Sequence, residues 1–246
     1  LYAVDKRNLH EKGITFVVEP DPAITPTRTI KLARLQFAGN WDPEPGGWRR
    51  LAAILHNKSS VNLDVTVAKL GAGELGNASG EGPKIASLTG TYTTTLSPAA
   101  RQELKDFVDG GGTLIVDAAG GNPDFATSME SELSQTFGAD AARQLKVHLP
   151  ATDLLFNLPG SAITDFTYRP FARTILGAVH GPMLSAITVN NRPAVYYSRL
   201  DLSAGLVGQP TDGILGYDPD TATAIMRNLI LTSGHSSASS PTPGTN

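Results

Sequence analysis

The stretch ARLQFAGNWDPEPGGWRRLAAIL, Ala33 to Leu55, decides the fold. It reads as a buried strand, a loop, and an amphipathic helix. The loop carries Trp41, Asp42, Pro43, Glu44, Pro45, Gly46 and Gly47. Behind it Trp48, Leu51, Ala52 and Leu55 recur at i, i+3, i+4 and i+7, one helix face turned to a core. A loop leading from a strand into a helix lies at the carboxyl end of that strand, where α/β sheets hold their ligands.

The same alternation runs outward in both directions. Residues 1–30 read as a short strand, Ile14 to Val18, and an extended arm through Pro20, Pro22 and Pro26. Lys31 to Phe37 is the first strand of the main domain. Asn62 to Leu70 alternates and is rich in valine, so it reads as a strand. Ile85 to Leu88 and Thr113 to Val116 are short apolar strands. Between them Ser97 caps a helix with Pro98 at its first position, and Gly110 to Gly112 stop it. Phe125 to Phe137 reads as a helix. Pro150, Pro159, Pro170 and Pro182 break the stretch from Lys146 to Pro182 into short pieces. Leu184 to Val189 and Ala194 to Tyr197 flank an Asn190–Asn191 turn, and Asp218–Pro219 open a last helix. The prediction is one α/β domain over residues 31–234, flavodoxin-like or class I glutamine-amidotransferase-like, with a mostly parallel sheet and helices on both faces. Residues 235–246 are polar and proline-containing, and disorder is expected there.

Composition narrows the function. Of 246 residues, 40% are hydrophobic, enough for one sizeable core. Twenty Lys and Arg against 23 Asp and Glu give a net charge of −3, with no basic run. That disfavours nucleic acid as a partner. No apolar run approaches the ~20 residues of a transmembrane helix. Cysteine is absent. Disulfides, thiolate metal sites and cysteine nucleophiles go with it. The same absence fits an extracytoplasmic protein that avoids stray thiols and a cytosolic one alike; the expected location is extracytoplasmic, periplasmic or held at a membrane. The chain opens at Leu1 rather than Met, which leaves room for a trimmed signal peptide or anchor upstream.

Familiar motifs fail on context. GAGELG, Gly71 to Gly76, matches the dinucleotide fingerprint by letters. NASGEGPK follows where an amphipathic helix is required, so a loop is the better reading. Neither a phosphate-binding G-x-x-x-x-G-K-[ST] nor a G-x-S-x-G elbow occurs. The five histidines are scattered, so a zinc pair on a helix is not expected. No cofactor or metal is implied.

Three charged, glycine-rich turns remain. In the first, Trp41 forms a pocket wall and Glu44, Gly46, Gly47, Arg49 and Arg50 hold a polar ligand, or Asp42 and Glu44 simply pair with Arg49 and Arg50. In the second, Asp117, Gly120 and Gly121 bind a ligand or supply a general base, or Asp117 caps nearby N–H groups. In the third, Arg199 and Asp201 join the same site, or form a surface ion pair.

ARLQFAGNWDPEPGG (Ala33–Gly47), LTGTYTTTLSPAARQELKDFVDGGGTLIVDAAGG (Leu88–Gly121), VYYSRLDLSAGLVG (Val195–Gly208) and DGILGYDPDTATAIMRNLIL (Asp212–Leu231) together resemble the bacterial domain-of-unknown-function 4159 family. The resemblance implies a fold similar to class I glutamine amidotransferases and members that are exported or membrane-associated. It implies no established activity. Cysteines often follow the aspartate of the glycine-rich turn in that family. Here Ala118 and Ala119 stand there, which excludes a thiol mechanism. The reading is a non-catalytic domain binding a polar small molecule or protein partner at the strand ends. The alternatives are a hydrolase using Asp117 or Glu44, with or without a divalent cation, and a structural module whose charged loops pair with each other.

Overall fold

In a computed structural model, which describes residues 16–234 apart from Asn77 and Ser79, strand β1 (Arg28–Gln36) leads into helix α1 (Pro45–Ser59) and strand β2 (Val61–Lys69). Strand β3 (Ile85–Gly90), helix α2 (Pro98–Asp109) and strand β4 (Thr113–Ala118) follow. Helices α3 (Pro123–Phe137), α4 (Ala139–Gln144) and α5 (Pro170–Leu176) precede the hairpin of β5 (Leu184–Val189) and β6 (Arg192–Ser198). Helix α6 (Pro219–Ser233) comes last.

The strands form one sheet in the order β2-β1-β3-β4-β6-β5. All neighbours are parallel except the antiparallel β5–β6 pair at one edge. The flavodoxin-like order places a topological switch between β1 and β3, where consecutive connections leave in opposite directions.

Strand side chains alternate between two apolar cores. Ile30, Leu32, Ile85, Ile115 and Tyr196 pack with α1 and α6. Ala33, Leu35, Ala86, Leu88, Leu114 and Val116 pack with α2 and α3 on the other face. Five helices start on a proline, Pro45, Pro98, Pro123, Pro170 and Pro219, whose missing N–H costs nothing in a first turn. Ser97, Asn122 and Asp218 cap three of these by accepting from Ala100, Asp124 and Thr221 N–H. Asn190 and Asn191 both take positive φ (51° and 58°), the combination a two-residue hairpin turn of type I′ requires.

Several expectations need correction. Phe16 to Val18 is not a strand; its one backbone bond here runs from Phe16 N–H to Val207 C=O. Ile14 and the expected disordered tail at 235–246 lie outside the described residues. Strand β1 begins at Arg28, inside the arm assigned to residues 1–30, because Arg28 to Ile30 continue the register with Val61 to Leu63. Strand β4 runs on through Asp117 and Ala118, paired with Thr89 and Gly90, so Asp117 is a strand residue rather than a turn residue.

Candidate functional site

On the α1/α6 face the strands change character toward their carboxyl ends. Ile30 and Leu32 give way to Arg34 on β1, Ile85 to Ser87 and Thr89 on β3, Ile115 to Asp117 on β4, and Tyr196 to Ser198 on β6. Register makes these lateral neighbours: Arg34 lies opposite Ser87, and Asp117 lies between Thr89 and Ser198. Ser87, Thr89, Asp117 and Ser198 are all buried. A buried polar row must find partners, because desolvated donors and acceptors are costly when left alone.

Two aspartates supply most of them. Asp117 accepts from the Thr89 hydroxyl (2.6 Å) and from the N–H groups of Leu202 (3.2 Å) and Ser203 (2.9 Å). Asp201, also fully buried, accepts from the N–H groups of Gly120 (2.8 Å), Ala204 (3.2 Å) and Gly205 (3.0 Å). Burial first, and the Asp117 charge second, push the Asp201 carboxyl up to about 6; Arg169 and the backbone donors oppose the rise.

Arg169 is the buried cation beside this pair, 1% exposed. It donates from Nη1 to the carbonyls of Gln209 (3.1 Å) and Thr211 (2.8 Å). Its Nε and Nη2 have no hydrogen-bond partner among the described residues. Burial lowers its pKa, while the charges of Asp201, Asp218 and Glu44 act the other way.

The first turn closes over the row. Asp42 forms an ion pair with Arg34, whose guanidinium carbon lies 5.3 Å from the Trp41 ring centre and 5.8 Å from that of Trp48. Arg34 is thus within cation–π range of both indoles. Beneath the turn is a cavity of about 10 Å³, bounded by Arg34, Trp41, Asp42, Glu44, Thr89 and Ser203 among others. That is room for a single water. The Ser203 hydroxyl is buried and has no hydrogen-bond partner among the described residues. Asn40 Nδ2 to Thr91 Oγ1 (3.1 Å) ties the loops after β1 and β3 across the switch point.

The expected site residues divide into three groups. Trp41, Glu44 and the neighbours of Asp117 converge on one rim. Gly47 and Gly121 serve close packing, and Gly120 a left-handed turn. A Cβ on Gly47 would lie 2.8 Å from Leu206 Cβ, and one on Gly121 only 2.0 Å from the Leu215 carbonyl oxygen. Gly120 takes φ 68° and accepts from Leu215 N–H (3.1 Å). Gly46 lies in the first turn of α1, part-buried. The third group lies apart. Arg49 is exposed on α1. Arg50 donates to the Leu206 carbonyl and the Thr223 hydroxyl. Arg199 is exposed and pairs with Glu130 of α3, so the expected Arg199–Asp201 ion pair does not form. Asp42 likewise pairs with Arg34 in place of Arg49 or Arg50, because Arg34 stands beneath it at the strand end.

Sequence reasoning missed Arg34, Arg169 and Ser203. Arg34 carried a signal, since it occupies the inward parity of Ile30 and Leu32. Arg169 lay in the proline-broken middle and carried none.

On the other side of the β1 loop is an open cleft of about 520 Å³. Gln36 at the end of β1 and Phe37 beyond it, Lys69 at the end of β2 and Leu70 beyond it, and Thr95 to Ser97 just ahead of α2 line it. The GAGELG turn beside it opens no helix; Glu103 of α2 holds it instead, accepting from Gly71 N–H (2.6 Å) and Leu75 N–H (2.8 Å). Among the described residues no group of three or more His, Asp or Glu is placed to hold a metal ion, and no helix is long and apolar enough to cross a membrane.

No curated protein and no solved structure matches the chain. One family model does match, over residues 31–231, from the start of the parallel sheet to the end of the last helix, and on that match the chain belongs to the family described as a domain of unknown function, DUF4159.

Proposed function

We propose that the chain is a non-catalytic binding domain that takes a small polar ligand at the carboxyl ends of its parallel strands. The observation that carries this is the 520 Å³ cleft between β1, β2 and α2. Its volume suits a small molecule, and it lies at the carboxyl ends of β1 and β2, beside the switch point between β1 and β3. Phe37, Leu70 and Leu96 offer an apolar wall, and Gln36, Lys69, Thr95 and Ser97 offer polar contacts. The turn-and-cavity side, where Trp41 and Glu44 lie, is nearly filled and is lined by other residues.

Binding is preferred to the carboxylate-hydrolase alternative because Asp117 is buried with three donors on its oxygens. A general base has to reach a substrate proton. The proposal includes a framework like that of class I glutamine amidotransferases and an extracytoplasmic setting.

The test is thermal unfolding of the chain against a panel of small carboxylates, phosphate esters and sugars. At least one class should raise the midpoint, and Ala38→Trp, which fills the cleft from an exposed position, should abolish the rise. A rise that survives Ala38→Trp and Lys69→Ala, or no rise with any class, overturns the proposal.

A further inference from the structure

We infer that Arg34 is the anchor of a second, masked site for an oxyanion, and that Asp42 is the chain's own stand-in for that ligand. The inference does not rest on the cleft, which different residues line.

Arg34 is the cation of the polar row, one strand from Ser87. Trp41 and Trp48 bring their ring centres within 5.3 and 5.8 Å of its guanidinium carbon, contacts that leave its N–H groups to hydrogen-bond other partners. The partner they hold is a carboxylate, Asp42. A guanidinium fork suits the two oxygens of a carboxylate or phosphoryl group. A separate observation points to a ligand. Ser203 lines the same cavity, is 4% exposed, and its hydroxyl has no partner among the described residues. Natural structures seldom leave such a group alone.

The mask is one turn. Trp41, Asp42 and Glu44 all belong to the segment between β1 and α1, so lifting it takes Asp42 and the Trp41 ring away from Arg34 together. Gly39 and Gly46 flank the turn. Beneath it remain Arg34, Trp48, Ser87, Thr89 and Ser203, one cation with hydroxyls around it. Asp42 is tethered, so a free oxyanion competes against a high local concentration and the intact chain binds weakly.

Both tryptophans of the chain flank Arg34, so indole fluorescence reports on this site directly. The full chain is titrated with inorganic phosphate and, separately, with acetate at constant ionic strength. Asp42→Ala should lower the midpoint for one of them by about tenfold or more relative to the unaltered chain. Whichever responds names the class, phosphoryl or carboxylate. The double variant Arg34→Met with Asp42→Ala should lose the response. Asp42→Asn, which keeps the side-chain shape, replaces Asp42→Ala if the latter does not fold by circular dichroism. Equal midpoints with and without Asp42, or a response that persists without Arg34, overturn the inference. Neither result touches the cleft, whose ligand is read by its own variants.

Discussion

Asp117 and Asp201 divide one turn of backbone between them. The N–H groups of Leu202 and Ser203 go to Asp117, and those of Ala204 and Gly205 go to Asp201. Four successive amides are satisfied by two buried carboxylates. Asp117→Ala strands two of them and the Thr89 hydroxyl. We expect a loss of about 3 kcal/mol or more. Urea unfolding checks it; a loss under about 1 kcal/mol means that water replaces the carboxylate.

The pH dependence follows from Asp201. Its carboxyl is raised to about 6 in the fold, from 3.8. Below 3.8 both states are protonated and the group contributes nothing. Between about 4 and 6 the unfolded chain has released the proton while the fold still holds it, so this group's contribution worsens as pH rises. Above that range the penalty is constant. Asp201→Asn should therefore remove this part of the pH dependence, so that the difference in stability between the unaltered chain and the variant shrinks as pH rises across this window. It should also lower stability at every pH, because an amide NH2 faces a backbone N–H donor. Parallel urea midpoints from pH 4 to pH 7 decide this; a difference that does not vary with pH counts against it.

Two glycines separate close packing from backbone conformation. Gly121 and Gly73 both have positive φ, 67° and 76°. Nothing lies within 4 Å of a Cβ at Gly73, whereas one at Gly121 meets the Leu215 carbonyl. Gly73→Ala should cost about 1 kcal/mol, the conformational strain alone. Gly121→Ala should cost clearly more, since backbone atoms have to shift. Thermal unfolding of the two variants side by side is the measurement.

The Asn190–Asn191 turn gives a gentler check. Asn191→Gly should be neutral or slightly stabilising, whereas Asn191→Val should cost about 1–2 kcal/mol. Equal stability of the two would mean that the hairpin abandons its type I′ turn.

Most of the fold was legible because its signals are local. Alternating Val, Leu and Ile marked the strands, and Ser97–Pro98 and Asp218–Pro219 marked helix starts that the structure shows. The antiparallel edge was readable from two adjacent asparagines. The site was less legible. That Arg199 reaches Glu130 and Asp42 reaches Arg34 depends on which elements lie above a strand end. Sequence spacing holds no record of that. Arg169 shows the limit most plainly: it is 40 residues or more from the carbonyls it binds, and nothing beside it in sequence marks it as buried.

The bond from Ser203 N–H to Asp117 spans 86 positions, and the Gly120–Asp201 bond spans 81. During synthesis the central strand therefore emerges with its acidic end bare, long before its acceptors are filled. Closing so large a loop is entropically slow. A polypeptide shortened ahead of residue 200 would keep the strands β1 to β4 yet leave buried Asp117 without two of its three donors and the Gly120 N–H without its acceptor. Such a fragment is expected to collapse without locking and to aggregate, which makes the sheet hostage to the last fifth of the chain.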